Sequence, residues 1–456
     1  MSVDRSRLPV PGAAPRFHFP AIDRTTLPTG LRVWSVRHES IPVTTIMLLI
    51  RRGAADDPRG LEGLAALTAD MLDEGTGNLS AIEIHEGLAR VGAQLDTDIG
   101  PDATLLTVTV LSRFVRQALS LLADIVIRPS LRDDDFARVR QLRLHRLMQL
   151  RDVPGAVADR AIMRLLYGAH PYGHTPLGGE ASLSALTVDD VREFHGQQIK
   201  PGDTTLVIAG DCDHAEVAAI ADEAFSEWHG VQQERSARTS ETSELPVSAR
   251  LNIIPRPGAP QSELRIGHIA ASRNTPDYHA LVAANMVLGG QFVSRINLNL
   301  REEKGFTYGA RTAFDFRRLP GPFLLQVSVQ TGATAEAIRE SFGEIGGIRG
   351  GRPVTTDELA LGVAALTRGF ARNFETAEQL ARAVTQLALY ELPDSYFDEF
   401  VGRVEAVTVD DVTRVTRQYL DPDRLTTLVV GDYAAIARDL PTLDLGAPAI
   451  LAADTF

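Results

Sequence analysis

The feature that most constrains this 456-residue chain is an internal duplication. Thr187-Val188-Asp189-Asp190-Val191 recurs as Thr408-Val409-Asp410-Asp411-Val412, an offset of 221 residues. At the same offset Gln197 meets Gln418, Pro201 meets Pro422, Thr205 meets Thr426, and Gly210-Asp211 meets Gly431-Asp432. Each copy reads as a helix opened by a T-x-x-D cap, then a Pro turn, then a strand ending in Gly-Asp. The two strands are Thr204 to Ala209 and Leu425 to Val430. Ungapped agreement of caps, turns and strand ends predicts two related domains rather than one large core.

Within the first domain, Leu31 to Val36 and Val43 to Arg51 predict strands, followed by a helix over 60–74. Ser80-Ala81-Ile82-Glu83 is a capping box that starts a helix to about Val91. Gln94 to Ile99 and Ala103 to Leu111 alternate as an antiparallel pair around Gly100-Pro101. Helices follow at 113–126, 132–151, 155–167 and 187–198. The second domain repeats the order, with strands near 250–255, 262–269, 306–315 and 322–329. Strands first, a run of helices and one returning strand predict an α+β class: two homologous domains, each a mostly antiparallel sheet with helices packed on one face. The domains span 21–231 and 248–456, joined by a polar linker over 232–247 without apolar periodicity and preceded by a flexible, Pro-rich arm over 1–20.

Composition excludes some functions. The formal net charge of −13 argues against a nucleic-acid partner, which favours a basic stripe, and suits neutral or basic peptides. Cys212 is the only cysteine, so no internal disulfide can form. Met1 to Gly12 contains no apolar h-region, and the richest apolar run, Ile46 to Ile50, stops at Arg51. The expectation is a cytoplasmic protein with no signal peptide and no membrane span.

The run Gly63-Leu64-Ala65-Ala66-Leu67-Thr68-Ala69-Asp70-Met71-Leu72-Asp73-Glu74-Gly75-Thr76 resembles the zinc helix of the pitrilysin/insulinase metallopeptidases, the inverzincins. In active members that helix reads G-L-A-H-x-x-E-H-M-L-x-x-G-T. The frame matches here at Gly63, Leu64, Ala65, Met71, Leu72, Gly75 and Thr76, while Ala66, Ala69 and Asp70 replace His, Glu and His. Two imidazoles at i and i+4 share a helix face and can grip one Zn²⁺, with the Glu beside them as general base. Neither methyl can do either task, and Asp70 alone is one oxygen ligand without a partner on its face. The family's remaining ligand is a Glu on a later helix, shortly before an Asp-x-Pro turn. Counting back from Asp152-Val153-Pro154 puts His145 or Arg146 there. All four expected metal positions are therefore degenerate: Ala66, Ala69, Asp70 and Arg146.

A second matched segment keeps its chemistry. Leu288-Gly289-Gly290-Gln291-Phe292-Val293-Ser294-Arg295-Ile296 followed by Leu300-Arg301-Glu302-Glu303-Lys304-Gly305-Phe306-Thr307-Tyr308 is similar to the family's L-G-G-x-x-x-S-R-L and L-R-E-x-x-G-L-x-Y. Arg301 and Tyr308 keep the family's seven-residue separation. The resemblance implies that Tyr308 donates a hydrogen bond to a developing oxyanion and that Arg301 holds the substrate backbone or orients Tyr308. Gly289, Gly290 and Ser294 are implied substrate-binding residues. A helix end, Gly305 and then a strand would place the pair rigidly. Read without the resemblance, Arg301 is a helix C-terminal cation and Tyr308 an ordinary strand aromatic. The resemblance runs over roughly 25–440 and includes Leu27-Pro28-Thr29-Gly30-Leu31-Arg32-Val33 and the turn His170-Pro171-Tyr172-Gly173. His170 and His174 flank that turn, but Pro171 and Gly173 interrupt any helix, so a structural loop is favoured over a metal site. Asp213 is expected as a helix N-cap.

Large family members carry four such domains, an active half and an inactive half, and this chain resembles the inactive half. The resemblance implies a non-catalytic subunit of a heterodimeric zinc peptidase. No cofactor is expected in this chain, and zinc is expected in a homologous partner with H-x-x-E-H. The substrate implied by the resemblance is an unfolded peptide held partly by strand addition. The alternative is a purely structural subunit, like the core proteins of the respiratory bc1 complex; a self-sufficient peptidase with displaced ligands is a third reading.

Overall fold

The computed structural model describes residues 17–77, 79–230 and 249–452. The expected linker over 232–247 and all but the last four residues of the N-terminal arm lie outside the described residues. In the first domain the strands of the main sheet are β1 (Asp23–Thr26), β2 (Arg32–Arg37), β3 (Val43–Ile50), β4 (Leu95–Ile99), β5 (Thr104–Leu111) and β6 (Thr204–Gly210). In the second they are β7 (Leu251–Pro255), β8 (Gln261–Ile269), β9 (Ala310–Phe314), β10 (Pro322–Gln330), β11 (Thr426–Gly431) and β12 (Ala449–Ile450).

Among the described residues these form two six-stranded sheets, ordered β1-β2-β6-β3-β5-β4 and β12-β7-β11-β8-β10-β9. Five of the six positions correspond, so the duplication seen in the sequence is a duplication of topology in the body of each sheet; at the sixth, β1 precedes β2 and pairs with it antiparallel, whereas β12 follows β11 and pairs with β7 in parallel. Pairing is mostly antiparallel. The exceptions are β2 with β6, its counterpart β7 with β11, and the short β12 on β7.

The helices of seven residues or more in the first domain are α1 (Leu64–Asp70), α2 (Ala81–Arg90), α3 (Val115–Ile127), α4 (Asp133–Arg151), α5 (Pro154–Tyr167), α6 (Val188–Gln198) and α7 (His214–Ala224). The second domain has α8 (Tyr278–Leu288), α9 (Thr334–Gly346), α10 (Thr356–Thr367), α11 (Ala377–Tyr390), α12 (Tyr396–Glu405) and α13 (Val409–Tyr419). The repeated T-x-x-D is a repeated capping box: the Thr187 and Thr408 hydroxyls accept from the Asp190 and Asp411 N–H groups at 3.2 and 3.1 Å. The two carboxylates accept from the threonine N–H groups in return, at 2.8 and 3.1 Å.

Strand alternation gives each sheet two apolar faces. Ile46, Leu48, Leu206 and Ile208 face the first domain's own helices. On the opposite face Val36, Met47, Val207 and Ala209 receive Leu380, Val384 and Leu387 of α11, from the second domain. The exchange is mutual: Val157, Ala161, Ile162 and Leu166 of α5 cover Ile254, Leu324, Leu428 and Val430 of the second sheet. Burying such a side chain is worth roughly 1.5–3 kcal/mol, so each domain's stability depends on a helix lent by the other.

Further contacts join the domains, among them one through Asp102 and one through Phe19. The Tyr172 hydroxyl donates to Asp102 Oδ1 at 2.6 Å, and the Arg318 N–H donates to Asp102 Oδ2 at 2.9 Å. Phe19 packs on Phe374 and Phe397 at ring separations of 5.3 and 4.9 Å. Residues 17–20 are thus not a free arm: Phe17 also stacks on Phe374 at 4.7 Å, which anchors the chain before residue 21.

Two expected elements are shorter than the sequence suggested. The helix expected over 60–74 is helical only from Leu64 to Asp70. The strand expected over 306–315 begins at Ala310, because the Thr307 hydroxyl bonds the N–H and carbonyl of Gly309 and draws that backbone out of the ladder.

Candidate functional site

The first candidate place is α1. Its N-cap, Gly63, has φ +102°, and a Cβ there would lie 3.1 Å from the Gly178 Cα and the Leu177 carbonyl oxygen, so glycine is required. The Asp57 carboxylate accepts the N–H groups of Gly63 and Ala65, both at 2.7 Å. His174 Nε2, facing the Asp57 carboxylate at 3.1 Å and the Ala54 carbonyl at 2.9 Å, is the donor to both. Burial raises the Asp57 carboxyl, opposed by the hydrogen bonds from His174, Ala65 and Gly63. His174 therefore supports the helix start, and His170 Nδ1 accepts from the Tyr172 N–H at 3.0 Å within its own turn.

Leu64, Leu67, Met71 and Leu72 are buried as core. Ala66 and Ala69 are buried too, at 1% and 3% exposure. Asp70, a lone oxygen donor with no fellow ligand on its face, forms an ion pair with Arg143 of α4. Arg143 also donates from Nη2 to the Pro176 carbonyl at 2.9 Å. Nor does Arg146 occupy the position opposite α1. It is exposed, as is His145, which bonds Gln141 at 2.9 Å. Val139, Arg143 and Leu147, spaced by four, form the stripe of α4 on the buried side, and counting from Pro154 misses it by one turn.

Two buried methyls and a carboxylate engaged by a guanidinium are not a zinc donor set. Among the described residues no group of three His, Cys, Asp or Glu side chains is placed to hold a metal ion.

The second place lies after α8. A Cβ on Gly289 would fall 2.5 Å from Thr312 Oγ1, and one on Gly290 2.7 Å from Asn285 Nδ2. Glycine at both positions lets the helix end seat against β9, where the Thr312 N–H reaches the Gly289 carbonyl at 3.0 Å. Ser294, expected among the substrate-binding residues, is 1% exposed and cannot touch a substrate. Its hydroxyl instead accepts from Asn297 Nδ2 at 3.2 Å. Arg295 is also buried, gripping both Glu358 oxygens at 2.7 Å and the carbonyls of Arg352 and Pro353. The Arg295 hydrogen bonds hold the Glu358 carboxyl down to about 2.

Asn297 was not singled out by the sequence, and it fixes the site. Its Nδ2 donates to the Ala310 carbonyl at 2.7 Å and its Oδ1 accepts from the Ala310 N–H at 2.9 Å. Behind it the chain makes a widened helical turn over Leu298–Glu303 and reverses at Gly305, φ +66°. The Phe306 N–H returns to the Leu300 carbonyl at 2.9 Å, and the Gln330 N–H bonds the Phe306 carbonyl at 3.1 Å. The segment between Phe306 and Ala310 is therefore pinned at both ends. Tyr308 projects from it, 95% exposed, and its hydroxyl makes no hydrogen bond among the described residues. A pinned loop, rather than the expected strand, presents this side chain.

Arg301 sits on the widened turn with its guanidinium 3.9 Å from the Phe292 ring centroid, and Glu302 is 3.6 Å away. Phe292 lines a groove of about 460 Å³ together with Gly289, Gly290, Asn297, Gly309 and Val327. The di-glycine, Phe292 and Gly309 of the Tyr308 loop thus line one groove, while Arg301, stacked on Phe292, and the Tyr308 side chain are not among its lining residues. Ala66, Ala69 and Asp70 lie in the other domain, with no bond or ion pair between the two groups among the described residues.

A two-domain body with similar sheets, covering helices exchanged between the domains and no metal donor set on α1 is the fold to which the family comparisons apply. Residues 32–178 match the family model for Insulinase (Peptidase family M16), and residues 185–366 match that for the Peptidase M16 inactive domain. The chain belongs to peptidase family M16. It is 24% identical over 412 residues to an uncharacterized zinc protease of Mycobacterium leprae, covering 90% of this chain and 92% of the relative. A solved peptidase M16 inactive domain from Pseudomonas fluorescens superposes with a TM-score of 0.81 at 23% identity, covering 90% of this chain and 98% of that one. A protease from Helicobacter pylori superposes at 0.80 with 19% identity, over 90% and 99%.

Proposed function

We propose that this chain is the non-catalytic subunit of a heterodimeric zinc peptidase. It closes the chamber over an unfolded peptide and lends Arg301 and Tyr308 to a homologous subunit that carries H-x-x-E-H. The observation that supports this is an asymmetry: α1 has alanine or aspartate where the family has its two histidines and glutamate, while an exposed tyrosine is held on a loop pinned at both ends. An exposed aromatic with an unused hydroxyl, fixed by the buried amide of Asn297, is built to meet something outside the chain. Tyr308 donates a hydrogen bond to the oxygen on which charge develops, and such donors act only when prearranged. Arg301, held flat by Phe292, donates to the backbone of the bound peptide. Zinc belongs to the partner, in keeping with relatives named as zinc proteases.

The test is association. The 49.4 kDa chain, co-expressed with a family member of similar length that keeps H-x-x-E-H, elutes as a one-to-one complex in size exclusion with light scattering. Separate elution of the two chains at micromolar concentration contradicts the proposal.

A further inference from the structure

We infer that Arg143 has taken over the cross-linking task of the lost metal, so that a guanidinium now ties α1 to α4 and excludes zinc from the place where family ligands stood. In a zinc site of this type a cation joins donors from two helices. Here the seam between the helices is apolar through Leu64, Leu67, Met71, Val139 and Leu147, which share one buried cluster. Arg143 is the charged member of its stripe, four residues from both Val139 and Leu147. Its side chain is only 11% exposed, and it reaches Asp70 at the last position of α1. Its other terminal nitrogen holds the Pro176 carbonyl, on the segment that leads to Gly178 beneath the start of α1.

One guanidinium therefore engages α1, α4 and the 176–178 turn together. Asp70 stands where the resemblance places the second histidine, so the cation that a ligand there would hold is already present as part of the chain. A planar guanidinium suits this role because it stays charged at any physiological pH and can direct separate donors at a carboxylate and a carbonyl. A divalent ion brought beside it would meet like charge at close range. This inference rests on α1, α4 and the 176–178 turn and is independent of whether a second subunit exists.

The experiment restores the donors with and without the arginine. A66H/A69E/D70H and A66H/A69E/D70H/R143E are purified, checked for native circular dichroism, dialysed against zinc and assayed for bound metal by mass spectrometry. The account expects substoichiometric zinc in the first and one zinc per chain, with a raised Tm in zinc, in the second. Equal zinc in both variants, or none in a folded second variant, overturns it. A second arm uses the native chain: D70N and R143Q each lower Tm, and D70N/R143Q lowers it little further. Additive losses, or no loss in either single variant, overturn the cross-linking role.

Discussion

Asn297 and Ala310 exchange two hydrogen bonds, side-chain amide to backbone, at 2.7 and 2.9 Å. The amide thereby acts as a one-residue strand against the start of β9 and fixes the loop that carries Tyr308. At 6% exposure, Asn297 leaves both Ala310 backbone groups without water as a substitute partner. Asn297→Ala is expected to cost about 1–3 kcal/mol, the penalty for unsatisfied buried groups, and to speed proteolytic cleavage near Tyr308. Limited proteolysis and a denaturant melt check both. An unchanged melt would remove Asn297 from its anchoring role.

Tyr308→Phe separates function from stability. The hydroxyl has no partner within the described chain, so stability should move by no more than about 0.5 kcal/mol. In the reconstituted complex the same change is expected to lower kcat about 100-fold, the typical loss for one oxyanion donor. Steady-state kinetics of the complex decide; full activity in this variant refutes the role assigned to Tyr308.

Glu358 supplies a pH dependence. Its carboxyl sits at about 2, below its ordinary 4.5, chiefly through the Arg295 hydrogen bonds. A depressed folded pKa contributes stability that is complete above 4.5 and is lost as pH falls toward about 2. The Tm difference between the native chain and Glu358→Gln should therefore be largest above pH 4.5 and close on acidification. A gap that widens in acid contradicts the assignment.

Tyr172→Phe probes the joint between domains. It removes the 2.6 Å bond to Asp102 and leaves that carboxylate with one fewer donor. Because Asp102 also holds the Arg318 N–H of the second domain, the expected loss is about 1–3 kcal/mol in one cooperative transition. Calorimetry showing two separate transitions in the native chain would contradict the mutual dependence of the domains.

Much of the fold was legible because its signals are local. Capping boxes at Thr187 and Thr408 and alternation in Leu95–Ile99 and Thr104–Leu111 need only neighbouring residues. The exchange of α5 and α11 was not legible. An apolar helix face says that something covers it, not which of two similar sheets does. Arg301 and Tyr308 were named from their fixed spacing, and the structure sets Arg301 over Phe292 and Tyr308 exposed on its loop. The site was misread where a contact depends on helix phase, so Arg146 was counted where Arg143 sits, and Ser294 was placed on a surface it does not reach. The 139, 143, 147 spacing in α4 carried the phase and could have found Arg143.

The central claim is that the metal and the exposed tyrosine belong to two different chains. Zinc content and peptide cleavage should be measured on this chain alone, on an H-x-x-E-H partner alone, and on the two mixed one to one. The account predicts no stoichiometric zinc and no cleavage in this chain, one zinc in the partner, and full cleavage only in the mixture. Stoichiometric zinc with cleavage in the isolated chain would contradict it.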